Sequence, residues 1–276
     1  MRYRSPIGTI ALVAVLTTTI SAAHALDEAK YPDWSSQWER IGGGSFDPNK
    51  RPGRAQQPPL TAEYQAVWEA NMAEEKAGGQ SYNTQVHCLP SGMPRMMTAY
   101  QPMETLITPE VTYIHIAFFH ELRRVYTDGR DWPAAMKPTF SGYSIGRWNG
   151  ANGIFDTLEV ETRALKGPRI LDPTGIPLHK DNQTIVKERF SLDKADPDTL
   201  RDEIITFDHA LTRPWTVTKS YHRVRNPTWI EDICAENNMY VFIGKDSYFL
   251  GADRNLMPTI KDQAPPDLRN FGPAPK

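Results

Sequence analysis

A hydrophobic period of two, running from about residue 85 to 250, limits what this chain can fold into more than any other feature. Apolar and polar residues alternate in short runs separated by Gly, Pro, Asn and Asp, which predicts β-strands. The expected strands cover 104–108, 111–126, 139–148, 157–164, 184–192, 200–208, 215–224 and 229–235, with 240–243 a further candidate. Asn149-Gly150-Ala151-Asn152-Gly153 is a hairpin signal. No helices alternate with these runs. The pattern therefore predicts a mainly β chain, an antiparallel meander forming a barrel or a strongly curved sheet, lipocalin-like in general shape. The 23 prolines among 276 residues argue against a bundle of long helices.

The rest divides around that segment. Arg2 and Arg4, an uncharged stretch from Ile7 to Ile20, and Ala23-His24-Ala25 have the layout of a signal peptide cleaved after Ala25. The apolar stretch falls short of the ~20 residues of a spanning helix. Residues 26–59 read as an extended arm rich in Trp, Pro and Gly, carrying Trp34 and Trp38. Residues 60–250 read as the barrel domain, opened by a helix over 60–78 with Thr61 as its N-cap. Residues 251–276 read as an extended tail. The mature chain is expected in the periplasm or secreted, without a membrane span.

Export makes a disulfide the natural reading of the only two cysteines, Cys88 and Cys234. A formal charge of −2 does not suit a nucleic-acid partner. No two histidines have the i, i+4 helical spacing of a zincin motif, and no nucleophile elbow, dinucleotide or phosphate-loop glycine pattern occurs. The expectation is no metal and no cofactor, with a zinc site assembled from histidines distant in sequence left open. Asn149–Asp156 resembles a calcium loop in its oxygen content, but Ala151 and Gly153 stand where ligands are needed.

Strand parity nominates a site. Treating 111–126 as one strand places His120 inside, with Arg124 and Tyr126 near the rim. Glu188 shares a face with Val186 and Phe190, and Lys219 with Trp215 and Val217. A buried carboxylate needs a partner, so Glu188 is expected to pair with Arg124, Lys219 or another base. Such a group is either a satisfied internal ion pair or part of a proton-transfer site, with His120 and Glu188 moving protons and Arg124 or Tyr126 stabilising an oxyanion. Trp132, Trp148 and Trp215, with Lys219, are candidate ligand walls.

Several stretches occur together: Cys88-Leu89-Pro90-Ser91-Gly92-Met93-Pro94, Arg123 to Arg130, Gly142 to Trp148, Leu158 to Thr162, Lys187-Glu188-Arg189-Phe190 and Thr212-Arg213-Pro214-Trp215. As a set, covering about residues 85–240, they resemble a family of exported β-rich proteins of proteobacteria and acidobacteria with no decoded function. The resemblance implies export and a β-rich domain, and draws attention to Glu188 and the Arg123–Arg130 turn. The leading expectation is a barrel binding a small apolar or aromatic molecule. The rivals are a cofactor-free lyase, isomerase or hydratase, and an envelope interaction module acting through the Trp34/Trp38 arm.

Overall fold

The computed structural model describes residues 27–42, 58–171 and 175–267, apart from 78, 80, 81, 229, 238 and 245. The expected signal peptide, residues 43–57 of the expected arm and the end of the expected tail lie outside the described residues. Nine strands close a barrel in the order β1-β11-β10-β9-β6-β5-β4-β3-β2. They are β1 (Gln37–Arg40), β2 (Met103–Ile107), β3 (Val111–Ile116), β4 (Glu121–Tyr126), β5 (Tyr143–Ala151), β6 (Ile154–Arg163), β9 (Ile185–Leu192), β10 (Thr199–Phe207) and β11 (Trp215–Val224). A two-stranded ribbon, β7 (Arg169–Ile170) with β8 (Pro177–Leu178), lies between β6 and β9 in sequence.

The chain is mainly β and the barrel is closed, as the alternation predicts. The meander is not wholly antiparallel, however. β4 pairs parallel to β5, through Val125↔Ser144 and Tyr126↔Ile145. A parallel pair needs a long crossover, and residues 127–142 supply it. The β5–β6 hairpin turns at Asn152-Gly153, both at positive φ (53° and 78°), the twist-matched geometry that favours this dipeptide.

The expected strand over 111–126 is two strands. A 3₁₀ turn over Phe118–His120 separates them, with Phe119 and His120 both at positive φ. The break resets the parity. Ile114 and Ile116 face in on β3, but Glu121, Arg123 and Val125 face in on β4. His120 is exposed in the turn and Arg124 is exposed on the outer face, so neither lies in the interior where unbroken alternation put it. The expected strand over 229–235 is also absent among the described residues. Cys234–Asn237 is instead a helical turn, α2 in this description. β12 (Tyr240–Ile243), β13 (Asp246–Leu250) and β14 (Leu256–Pro258) form a separate three-stranded sheet, partly from residues read as tail.

The largest difference is in the arm. Gln37–Arg40 is the strand that closes the barrel, antiparallel to β11 and to β2. Trp34 and Trp38 are buried in the main core, with the Trp38 indole N–H donating to the Trp34 carbonyl at 3.0 Å. Trp34 packs 4.9 Å from Trp148. Arg223 covers Trp38 at 4.4 Å and donates to the carbonyls of Asp33 and Ser35. A buried tryptophan pair is anchored packing, not an exposed docking arm.

Helix α1 (Ala62–Lys76) starts where Thr61 Oγ1 accepts the Tyr64 amide at 3.3 Å. With β7 and β8 it covers one end of the barrel. There Leu171, Ile176, Leu178 and Trp215 form a second apolar cluster, packed against Leu60 and Trp68. The main interior is filled. Ser91–Thr98 is buried throughout, and Met93, Met96 and Met97 pack with Ile114, Leu158 and Phe190. Buried polar groups hold this segment. Glu121 accepts the Ser91 and Gly92 amides, and Arg169 donates to the Phe140 and Met93 carbonyls. Gly92 sits at φ +64°, and a Cβ there would stand 2.2 Å from the Phe140 carbonyl oxygen. A disulfide joins Cys88 to Cys234, with Cα atoms 5.5 Å apart.

Candidate functional site

The interior carries charge. Arg123 on β4 and Glu188 on β9 meet as a bidentate pair, both side chains essentially inaccessible. Nη1 donates to Oε1 at 2.8 Å and Nη2 to Oε2. Nε donates to Ser144 Oγ at 3.2 Å and Nη2 also to Thr162 Oγ1 at 2.9 Å, while Met97 Sδ lies near Nη1. Ser144 and Thr162 share a hydrogen bond at 2.8 Å. All five guanidinium donors therefore have a partner. Of the two readings of a buried Glu188, this geometry is that of a satisfied ion pair. The partner is Arg123, because the turn at 118–120 moved Arg124 outside.

Beside it lie Asp202 on β10 and Lys219 on β11, opposite one another in register and both buried. Tyr221, two residues on, donates from its hydroxyl to the Met97 carbonyl at 2.7 Å. Burial, then the Asp202 and Glu188 charges, push its phenol well up. Asp202 is fully buried, and neither carboxyl oxygen has a hydrogen-bond partner among the described residues. Burial, reinforced by Glu188 and opposed by Arg123 and Lys219, pushes its pKa well above the carboxylate range. Alternation of Leu200, Asp202 and Ile204 was the available sequence signal, the same that exposed Glu188 between Val186 and Phe190.

The linkage sign follows. A carboxyl raised in the folded state stabilises fully below its unfolded pKa, here near 3.8, and loses that contribution as pH rises toward the folded value. Asp202 alone contributes a fall of up to ~1.4 kcal/mol per pH unit in that window. Asp202→Asn should flatten the decline of unfolding free energy between pH 4 and 7, measured by urea titration. An unchanged slope would remove the claim that burial raises the Asp202 pKa.

The remaining residues nominated by sequence are dispersed. His120 Nε2 accepts the Asp232 amide at 3.3 Å. Arg124 lies 5.9 Å from the Tyr113 ring. Tyr126 stacks on Tyr143 and under Arg130, whose guanidinium also grips both Asp128 oxygens. Trp132 is half-buried under Arg163. Trp148 is core, its N–H donating to Thr112 Oγ1 at 3.2 Å. Of the nominated residues, Glu188 and Trp148 lie in the main interior, and Lys219 and Trp215 line its capped end.

A narrow recess at the capped end is lined by Pro94, Leu171, Ile204, Trp215, Val217 and Lys219. Its volume is about 10 Å³, room for one water. No family model and no curated protein matches this chain. The geometry must therefore carry the functional argument. A groove of about 600 Å³ on the outer faces of β5, β6, β9 and β10 is lined by Arg147, Glu159, Glu161, Lys187, Arg189 and Glu203. Glu161 there pairs with Lys187 and Arg163, as on an ordinary solvated face.

Proposed function

We propose that the protein is a barrel-fold binding module working outside the cytoplasm, and that it takes a small apolar or aromatic molecule at the α1-capped end. The recess between Trp215 and Lys219 carries this reading. Its wall is mostly apolar with one buried cation, the composition of a small-molecule site. The recess as it stands admits only water, so binding requires the α1/β7–β8 cap to part from the barrel. The cap is held by its own small apolar cluster, distinct from the main core. Export is supported by the N-terminal sequence pattern, by the disulfide and by the resemblance to exported β-rich proteins.

Native mass spectrometry of protein expressed to the periplasm, before and after denaturation, tests this. The expected result is a retained compound that is lost on denaturation. Trp215→Ala and Lys219→Met should lower its occupancy by roughly ten-fold or more, about the 1.4 kcal/mol that separates decades of affinity. Bare protein from every preparation, or equal occupancy in both variants, would overturn the assignment.

One observation favours a second reading, a cofactor-free lyase, isomerase or hydratase. Asp202 is a buried acid with a raised pKa beside Lys219, the kind of environment in which proton-transfer groups are tuned. On this reading Asp202 moves protons in place of His120, which is exposed, and Glu188, which is held by Arg123. An Asp202→Asn variant that keeps the ligand but loses turnover distinguishes it from pure binding.

A further inference from the structure

Two loops at the capped side of the barrel meet through Asp208. Its Oδ1 accepts the amides of His179 at 3.0 Å and Ala210 at 2.7 Å, and its Oδ2 accepts the Thr184 hydroxyl at 2.5 Å. This clamp brings the turn after β8 against the turn between β10 and β11. It sets His179, Asp181 and His209 around one small space. Asp181 Oδ1 lies 3.0 Å from His179 Nδ1, and Oδ2 lies 2.5 Å from His209 Nδ1. One potential ligand atom from each residue falls within 4.8 Å of the others.

We propose that His179, Asp181 and His209 bind a divalent transition-metal ion of the zinc type. Two imidazole nitrogens and one carboxylate oxygen suit zinc and its neighbours, whereas calcium and magnesium want all-oxygen shells. Metal bonds of about 2.0–2.2 Å put tetrahedral ligand atoms roughly 3.3 Å apart. The ligand atoms, all within 4.8 Å of one another, need to close by about 1.5 Å at most to meet that. Asp181 already joins the two rings, Oδ1 to His179 Nδ1 and Oδ2 to His209 Nδ1, and its amide lies 3.2 Å from His179 Nδ1. A bound cation would replace these His–Asp contacts with shared coordination.

The surroundings are built to hold the ligands. Tyr64 packs its ring 4.9 Å from the His179 ring and accepts the Lys180 amide through its hydroxyl. The Gln183 amide donates to Asp181 Oδ1 at 3.0 Å. Hydrogen bonds of this sort orient metal ligands from behind. His209 is largely exposed, so an ion has access, and three protein ligands leave a fourth position for water. The expectation of no metal rested on helical histidine spacing. Here the histidines come from different loops, and only the fold brings them together.

Titration of the tag-free, chelator-stripped protein with Co²⁺ tests the proposal, read by visible absorption and by displacement with Zn²⁺. The expected result is one ion per chain in tetrahedral or five-coordinate geometry. Affinity should fall by roughly 100-fold in Asp181→Asn and in His209→Ala, since losing a direct ligand should cost at least what losing a supporting partner does. It should stay unchanged in His222→Ala, which removes an exposed histidine near Glu39. Circular dichroism should report an intact fold in His209→Ala, because that side chain is mostly in solvent. Absence of one-to-one binding overturns the site. So does binding that survives both ligand substitutions.

Discussion

Glu188→Ala should destabilise the protein by about 3–5 kcal/mol, the usual cost of leaving one member of a buried ion pair alone. Arg123 would then be a fully buried guanidinium with its direct contacts reduced to Ser144, Thr162 and Met97, and with Asp202 the acidic group left near it. Arg123→Met alone should cost a similar amount, because Glu188 is left beside the equally buried Asp202. The double variant Arg123→Met/Glu188→Leu should cost much less than the two single losses together, since no charge is then stranded. Urea unfolding of the four proteins gives the coupling energy directly. Additive losses would mean that the pair is not the electrostatic unit the geometry describes. Glu188→Gln separates charge from shape, because it keeps an acceptor for Arg123 while removing the charge.

Replacing both Cys88 and Cys234 by Ser should act locally before it acts globally. Among the described residues, no strand of the β12–β14 sheet makes an extensive contact with a barrel strand. His87 stacks on Phe242 at 3.8 Å, the Phe119 amide donates to Asp232, and the Asp232 amide donates to His120. An aromatic pair is worth about 0.5–1.5 kcal/mol and each hydrogen bond about 1 kcal/mol. That sum, roughly 2.5–3.5 kcal/mol, is small beside the ~1–2 kcal/mol per residue that ordering such a segment costs. The disulfide spans 146 residues and contributes on the order of 2–5 kcal/mol. Without it, amide exchange in β12–β14 should accelerate by about 10²–10³-fold, while the barrel strands keep most of their protection. Uniform acceleration across barrel and sheet would show that the two unfold as one unit.

The barrel was legible because alternation survives in each strand whatever its neighbours are. The pairing partners were not. Gln37–Arg40 is four residues long, too short for a period to show, and it lies among Gly and Pro that read as an arm. The interior charges were half legible. Glu188 and Lys219 followed from parity within unbroken strands, but Arg123 was lost to Arg124 because three residues of 3₁₀ turn shift the phase by one. No local pattern announces such a turn in Phe118-Phe119-His120. Asp202 carried the same signal as Glu188 and was passed over. The His179–Asp181–His209 group had no sequence period at all, because its members come from two loops joined by Asp208.

Closure by β1 also sets an order of events. Ser36 bonds to the Val224 carbonyl across 188 residues of chain. A ribosome adding about 5–20 residues per second makes the first partner roughly 10–40 s before the second. β2 is made well before β11, so β1 can pair with it early, while the other edge of β1 stays bare until β11 exists. The seam can shut only after nearly the whole barrel has been made. Until then the growing chain carries an unpaired ladder that any other strand could claim.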